Sequence, residues 1–104
     1  MSEIPEGWTK ASEGIRRRVL EQTPEMMLVK VHFEEGASAP EHAHPHVQAS
    51  YILSGRFEFT IGGQAKVVAA GDTLIIPGNT LHSGRSLEEG ELIDCFTPRR
   101  DDFL

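Results

Sequence analysis

Two stretches of this 104-residue sequence decide its fold: residues 36–55, GASAPEHAHPHVQASYILSG, and residues 71–86, GDTLIIPGNTLHSGRS. Each stretch begins with a glycine and contains both proline and histidine. Three histidines fall in the first stretch and one falls in the second. Imidazoles are neutral near pH 7 and are the commonest transition-metal ligands, so this pattern predicts a metal site shared by the two stretches.

The chain around these stretches consists of short apolar runs that end at turn residues. Residues 26–33 alternate between apolar and polar positions, which predicts a half-buried strand. Residues 55–61 repeat the alternation, and Gly62-Gly63 predicts a hairpin turn into residues 64–69. The inward positions of the first two runs are Met27, Val29, Val31, Phe33, Phe57, Phe59 and Ile61.

Two further runs complete the series of predicted strands, residues 73–76 and residues 90–96. A helical turn is expected only within residues 86–91 or at the termini. Strands of this length and turn spacing predict an all-β protein, an antiparallel sandwich or barrel. We expect a single domain over residues 1–104, with a core barrel over about residues 27–97.

The composition excludes several classes of partner. Ten Lys and Arg against sixteen Asp and Glu give a net charge of −6, which argues against nucleic-acid and anionic-membrane binding. The first residues lack the features of a signal peptide, and no apolar run has the length of a membrane span. Cys95 is the single cysteine, so no internal disulfide can form. We therefore expect a cytoplasmic protein.

Four residues are the candidate metal ligands. Alternation in an extended segment puts His42 and His44 on one face, where both rings can chelate one ion. Gln48 follows at an even offset, and His82 comes from the second stretch. His46 has two alternative roles, either replacing Gln48 as a ligand or lying near the pocket mouth and contacting a substrate.

The run Arg16-Arg17-Arg18 is the one basic run of the chain. Its members would alternate between the two faces of a strand, so they do not form a single patch. A solvated or subunit-facing edge strand is the expected setting, and an anion site is the alternative.

The glycines, prolines and histidines of both stretches resemble the two motifs of the cupin family. Gly36, His42, His44 and Gly55 stand at the spacing of the first motif, with Gln48 in place of the usual acid. The second motif reads Gly71, Pro77 and His82, with Asn79 in place of a glycine and Ser86 in place of an asparagine. Together the motifs cover about half of the chain.

This resemblance implies a double-stranded β-helix, the jelly-roll barrel, with one divalent transition metal (Zn, Ni, Mn or Fe) inside. Gln48 would leave the ligand set without a negative charge. More of the ion's positive charge is then available to a bound anion or hydroxyl group, which suits Lewis-acid chemistry. If Gln48 is not a ligand, it bonds groups around the site.

Segments near the two ends of the chain resemble one particular family of cupins. Residues 94–104, DCFTPRRDDFL, are similar to the ending of the pectin degradation protein (KdgF) family, which closes on Asp-x-Phe-x-Pro and a basic pair before Asp-Phe-Leu. Trp8, residues 14–19 (GIRRRV) and residues 26–29 (MMLV) are also similar to that family.

Members of that family convert unsaturated monouronates, released from pectin or alginate, from the cyclic sugar to its linear keto form. The resemblance therefore implies an anionic sugar as the small-molecule partner. It also implies the active-site residues Asp94, Phe96 and Arg100, with Arg99 as the alternative to its neighbour.

The strand pattern places Leu92, Asp94 and Phe96 on one face. An acid in an apolar cavity beside a cation is a candidate proton shuttle, since burial raises its pKa while the cation lowers it. A buried aspartate hydrogen-bonded to backbone is the alternative. Arg100 would pair with the sugar carboxylate in a bidentate fork. Phe96 and Tyr51 would pack against the sugar ring, although Tyr51 is equally suited to the core.

Two other functions stay open at this point, a metal-dependent cupin dioxygenase and a non-catalytic cupin that binds a sugar or another small ligand. Oxygen consumption would indicate the first, and binding of a uronate without turnover would indicate the second. A homodimer is expected by analogy with small cupins, whose N-terminal strand packs on the neighbour's sheet, and because a short chain gains from the burial.

Overall fold

The computed structural model describes residues 4–104, and within that range it contains ten strands and one short 3-10 helix. The strands are β1 (Thr9–Ser12), β2 (Ile15–Thr23), β3 (Met26–Phe33), β4 (Ser38–His42), β5 (Val47–Ile52), β6 (Arg56–Ile61), β7 (Gln64–Ala69), β8 (Thr73–Ile76), β9 (His82–Glu88) and β10 (Gly90–Thr97). The 3-10 helix spans Asp101–Phe103. No helix in the described part of the chain is long and apolar enough to cross a membrane.

The strands form two antiparallel sheets. The larger sheet has the order β1-β2-β3-β10-β5-β8, and the smaller has the order β4-β9-β6-β7. Side chains from both sheets belong to one apolar core, in which Phe33 of the larger sheet meets Phe57 of the smaller sheet edge to face at 5.2 Å. The prediction of an all-β jelly-roll barrel is confirmed.

Alternation along each strand decides which side chains enter this core. In β3 the four apolar positions Met27, Val29, Val31 and Phe33 are buried. Lys30 and His32 lie on the outer face, where each approaches Glu91 of the neighbouring β10. The same period of two buries Leu92, Asp94 and Phe96 in β10, so the strand that supplies core residues also carries an acid inward.

A turn at residues 77–80, within the second histidine-bearing stretch, contacts the first stretch. Asn79 has a φ of 60°, in the left-handed region that asparagine tolerates better than most residues, and it occupies the position of the motif glycine. Its backbone N–H donates to the carbonyl oxygen of His44 over 2.7 Å. A side chain on Gly78 would come within 2.5 Å of the carbonyl oxygen of Pro45, so glycine lets the two loops touch.

The structure differs from the sequence-based expectation at two places. Residues 86–91 contain no helical turn, because β9 continues through Glu88 and Gly90 then packs against the backbone of Ser54 in a tight connection to β10. The basic run of β2 does not lie in an edge strand, because β1 pairs with β2 on its outer side. Arg17 faces the interior of the barrel, because its partner in β3 is the buried Val31.

Candidate metal centre

Two neighbouring strands of the smaller sheet bring two histidines together. His42 at the end of β4 stands opposite His82 at the start of β9, and their ring centroids are 4.3 Å apart. His44 follows in the loop before β5, and its ring centroid lies 4.9 Å from that of His82. One ligand nitrogen from each of the three histidines lies within 4.8 Å of the others, so the three can share a metal ion.

Backbone hydrogen bonds orient all three rings. The Nδ1 atoms of His42, His44 and His82 lie 2.8, 3.1 and 2.9 Å from the carbonyl oxygens of residues 40, 46 and 80. A carbonyl oxygen only accepts, so each Nδ1 carries the proton and donates it. In the neutral ring each Nε2 therefore offers a lone pair. Three lone pairs that face one another can bind a cation between them, and three imidazole nitrogens suit a transition-metal ion.

Burial favours the neutral form of His44 and His82. It is the main cause that lowers the pKa of His44 and that of His82 below the ordinary histidine value, and Arg100 lowers both further. His42 is more exposed than these two residues. Neutral rings at neutral pH are the form that binds a metal.

Gln48 of β5 reaches the same cluster from the larger sheet. Its Oε1 lies 3.2 Å from Nε2 of His44. Its Nε2 donates to Oδ1 of Asp94 over 3.0 Å and to the hydroxyl of Ser50 over 3.2 Å. These two acceptors turn the amide oxygen of Gln48 towards the histidines. A fourth donor atom, an oxygen, therefore faces the place where the three nitrogens converge.

Asp94 is buried behind this cluster. Its Oδ1 accepts a 2.6 Å hydrogen bond from Ser50 as well as the bond from Gln48, while neither bond uses Oδ2. Burial raises the pKa of Asp94 to about 6, although the hydrogen bonds from Ser50 and Gln48 and the charge of Arg100 oppose this shift. The group is therefore able to take up and release a proton near neutral pH.

A cavity of about 280 Å³ lies between the two sheets in front of these groups. Its lining brings together most of the residues that the sequence singled out, namely His42, Gln48, His82, Asp94, Phe96 and Arg100. Phe96 places its ring 5.7 Å from that of His44, and the guanidinium of Arg100 stacks over Phe96 at 5.0 Å. The cavity has room for a single small molecule in contact with this lining.

Three residues with a predicted role or an alternative one lie away from the cavity. Tyr51 is 50% exposed, because in β5 it points outward while Gln48 and Ser50 point inward. Arg99 donates to Gln22 and Asp101 instead of facing the cavity. His46 packs beside His44 and Phe96 with ring centroids 5.5 and 6.4 Å away, and in the described chain its buried Nδ1 has no hydrogen-bond partner.

Sequence reasoning missed two residues of the site, Ser50 and Phe103, and it named Arg17 only as part of a basic run with an anion site as the alternative. Ser50 shares the inward face of β5 with Gln48, and its even offset was a usable signal. Arg17 shares the inward face of β2 with Ile15, and both line the cavity. Phe103 comes from the 3-10 helix after the last strand, where no periodic pattern indicates a direction.

Known proteins share this fold and much of this sequence. Residues 29–94 match the cupin domain family. The pectin degradation protein KdgF of Dickeya dadantii (strain 3937) is 39% identical over 99 residues, which are 93% of this chain and 90% of that protein. The structure of KdgF from Halomonas sp. superposes with a TM-score of 0.89 at 37% identity, covering 93% of this chain and 90% of that one.

A second solved structure is equally similar in shape. The RmlC-like cupin from Shewanella frigidimarina NCIMB 400 superposes with a TM-score of 0.90 at 37% identity. The match covers 93% of this chain and 87% of that chain. The similarity therefore extends beyond the barrel core.

Replacing His82 with alanine should weaken metal binding by at least about a hundredfold, because a ligand of the shared ion is lost. Calorimetric titration of the chelator-treated protein with Zn²⁺ measures the affinity and should give one ion per wild-type chain. His32→Asn is the matched control, since His32 lies on the outer face with Glu89 and Glu91. Equal affinity for wild type and His82→Ala would contradict this assignment.

Asp94 should make a contribution to the stability of the metal-free protein that is lost as the pH rises from about 4 to about 6. Asp94 has a higher pKa in the folded chain, about 6, than its ordinary value of 3.8, so the folded state binds more protons between these values. The contribution is complete below about pH 4 and is lost above pH 6, and it amounts to about 3 kcal/mol.

Denaturant unfolding of wild type and Asp94→Asn at several pH values isolates this contribution. His44 and His82 have lowered pKa values, so their contribution to the free energy of unfolding has the opposite pH dependence. This contribution is present in both proteins and cancels in the difference. Parallel stability curves for the two proteins between pH 4 and pH 7 would show that Asp94 is not the group responsible.

Proposed function

The chain belongs to the cupin family and, within it, to the KdgF family of pectin degradation proteins, and we propose that it converts 4,5-unsaturated monouronates to linear keto sugars in a metal-dependent reaction. The single observation that carries this proposal is the hydrogen bond from Gln48 to Asp94. It joins the metal centre to a buried acid that titrates near neutral pH, at the wall of a cavity that also presents arginine side chains.

The proposed metal ligands are His42, His44, Gln48 and His82, holding one divalent transition metal of the Zn, Ni, Mn or Fe group. All four side chains are neutral donors, so the charge of the ion is not reduced by its ligands. When bound, the ion supplies electrostatic stabilisation to negative charge that develops on substrate oxygens. A uronate is an anion with several hydroxyl groups and is suited to such a site.

The reaction is an isomerisation in which one proton changes place. The substrate is a cyclic enol ether with a hemiacetal at its other end. Loss of the proton from the anomeric hydroxyl and cleavage of the bond between the anomeric carbon and the ring oxygen give an aldehyde and an enolate. Protonation of the former double-bond carbon then gives the ketone. No oxidant, reductant or water is consumed.

Asp94 is the residue we assign to this proton transfer. Its pKa of about 6 lets the carboxylate accept a proton from the anomeric hydroxyl and deliver one to carbon near neutral pH. Ser50 and Gln48 hold its Oδ1, so Oδ2 is the oxygen left to exchange the proton. The same hydrogen bonds prevent the carboxyl group from rotating away.

Phe96 and Arg100 complete the proposed site. Phe96 presents an apolar wall against which one face of a sugar ring can pack, and Arg100 stacks over that ring and adds positive charge beside it. His46 packs behind Phe96 and supports its position rather than contacting substrate. Tyr51 has no role in this assignment, because it lies on the outer face of β5.

A homodimer is part of the proposal, and an apolar area of the larger sheet supports it. The outer faces of β5 and β8 expose Val47, Tyr51 and Ile75, whose side chains are 44, 50 and 61% accessible. Strand pairing places Tyr51 next to Ile93 of β10, which extends the same apolar face. A second copy of this chain that covers the face would remove apolar surface from water.

We further propose that the reaction takes place in the cytoplasm. Cys95 is the single cysteine, and its thiol is free and partly buried. A reducing compartment preserves a thiol of this kind.

Light scattering should report twice the mass of one chain at micromolar concentration, because the apolar face of β5 and β8 is buried between copies. Ile75→Glu should shift the protein towards monomer, since a charge would be buried at the interface. Val67→Glu on the smaller sheet is the matched control, because Val67 is similarly exposed at 51%. A wild-type monomer at this concentration would reject the dimer.

Asp94→Asn should lower kcat on the unsaturated monouronate by about a hundredfold to ten-thousandfold, because the amide cannot carry the proton. Loss of the ultraviolet absorbance of the unsaturated uronate, measured with the metal-loaded protein, gives the rate. Glu58→Gln, a carboxylate on the outer face of β6, is the control and should leave the rate unchanged.

The same assay separates the other two functions. Oxygen uptake coupled to substrate loss would indicate a dioxygenase in place of an isomerase. Calorimetric binding of the uronate without any decay of absorbance would indicate a sugar-binding protein. Wild-type decay rates in Asp94→Asn would remove Asp94 from the mechanism.

A further inference from the structure

Arg17 is a second guanidinium in the cavity wall. It lies on β2, opposite Val31 of β3, and both residues line the cavity. Its carbon Cζ stacks on the ring of Phe103 at 4.0 Å, and within residues 4–104 no hydrogen bond or ion pair engages its nitrogens. Burial is the main cause that lowers the pKa of Arg17, and the nearby charge of Asp102, which is itself paired with Arg100, opposes this shift.

Arg100, in contrast, is paired with a carboxylate of this chain. Its Nε and Nη2 donate to the two carboxylate oxygens of Asp102 over 3.0 and 2.9 Å, which is the bidentate geometry that arginine uses for carboxylates. This pairing is the main cause that lowers the pKa of Asp102, so the carboxylate stays ionised. A substrate carboxylate would have to displace Asp102 to bind the same edge of the Arg100 guanidinium.

The ring of Phe103 lies against both guanidinium groups, with Cζ of Arg100 at 4.2 Å. Stacking on an aromatic face orients the plane of a guanidinium and leaves the N–H groups at its edge free to donate. Arg17 is therefore held in a fixed plane with its donors unused. Such a group is preorganised for a planar anion, which is the shape of a carboxylate.

We propose that Arg17 binds the carboxylate of the uronate substrate, while Arg100 remains paired with Asp102 and acts as a wall of the cavity. This inference rests on the proposed function, because it names the residue that recognises the charged end of that substrate. It reassigns the carboxylate contact from the C-terminal arginine to the second strand. Arg17 thereby becomes the residue that distinguishes an acid sugar from an uncharged one.

The test compares the unsaturated monouronate with its methyl ester in wild type, Arg17→Met and Arg100→Met. Arg17→Met should raise KM for the acid by about ten- to a hundredfold and leave KM for the ester within about twofold, because only the acid loses a charge-assisted hydrogen bond. Arg100→Met should change the kinetics of acid and ester by similar factors. Arg18→Met, at an exposed position in the same strand, is the matched control.

Thermal unfolding checks that the Arg17→Met protein is folded. Equal losses on acid and ester in Arg17→Met would overturn the proposal and assign the residue to holding Phe103. Loss of acid preference in Arg100→Met with its retention in Arg17→Met would also overturn it.

A wild-type protein that turns over neither compound would refute the proposed function and leave a direct test of Arg17. Calorimetry with galacturonate and its methyl ester is then the readout. Selective weakening of galacturonate binding in Arg17→Met supports the carboxylate contact, and unchanged galacturonate binding in that variant overturns it.

Discussion

Three hydrogen bonds from imidazole Nδ1 atoms to backbone carbonyl oxygens set the chemistry of this protein. Because the acceptors belong to the backbone of the same two stretches, the folded chain itself selects the tautomer of His42, His44 and His82. Each Nε2 is left as a lone pair aimed at a common point. The pairing of β4 with β9 and the contact between Asn79 and His44 hold those backbone segments in place.

Gln48 links this cluster to the acid behind it. An acidic residue at this position would add a negative charge near Asp94 and oppose its ionisation. The amide instead uses its oxygen towards the histidines and its nitrogen towards Asp94, so one neutral side chain serves both groups. The departure from the usual cupin motif therefore has a physical role, since it keeps the proposed metal centre strongly positive and the acid functional.

The sequence predicts much of this arrangement because two kinds of signal are local. Alternation in β3, β6 and β10 identifies which side chains point inward, and it places Asp94 and Phe96 on the cavity side. Motif spacing identifies the histidines and Gln48. The same alternation would also have placed Tyr51, three residues after Gln48, on the outer face of β5.

The C-terminal segment and β2 show where such signals fail. Whether Arg99 or Arg100 faces the cavity depends on a 3-10 turn that only tertiary contacts specify, and Arg17 faces inward because β2 pairs with β3 in one particular register.

The central claim is that the metal-loaded protein moves a proton within the bound sugar. Nuclear magnetic resonance of the unsaturated uronate in D₂O tests it most directly: we expect rapid formation of the linear keto sugar with deuterium on one face of carbon 4, lost after chelation. Deuterium on both faces, formed at the same rate with and without metal, would contradict the account.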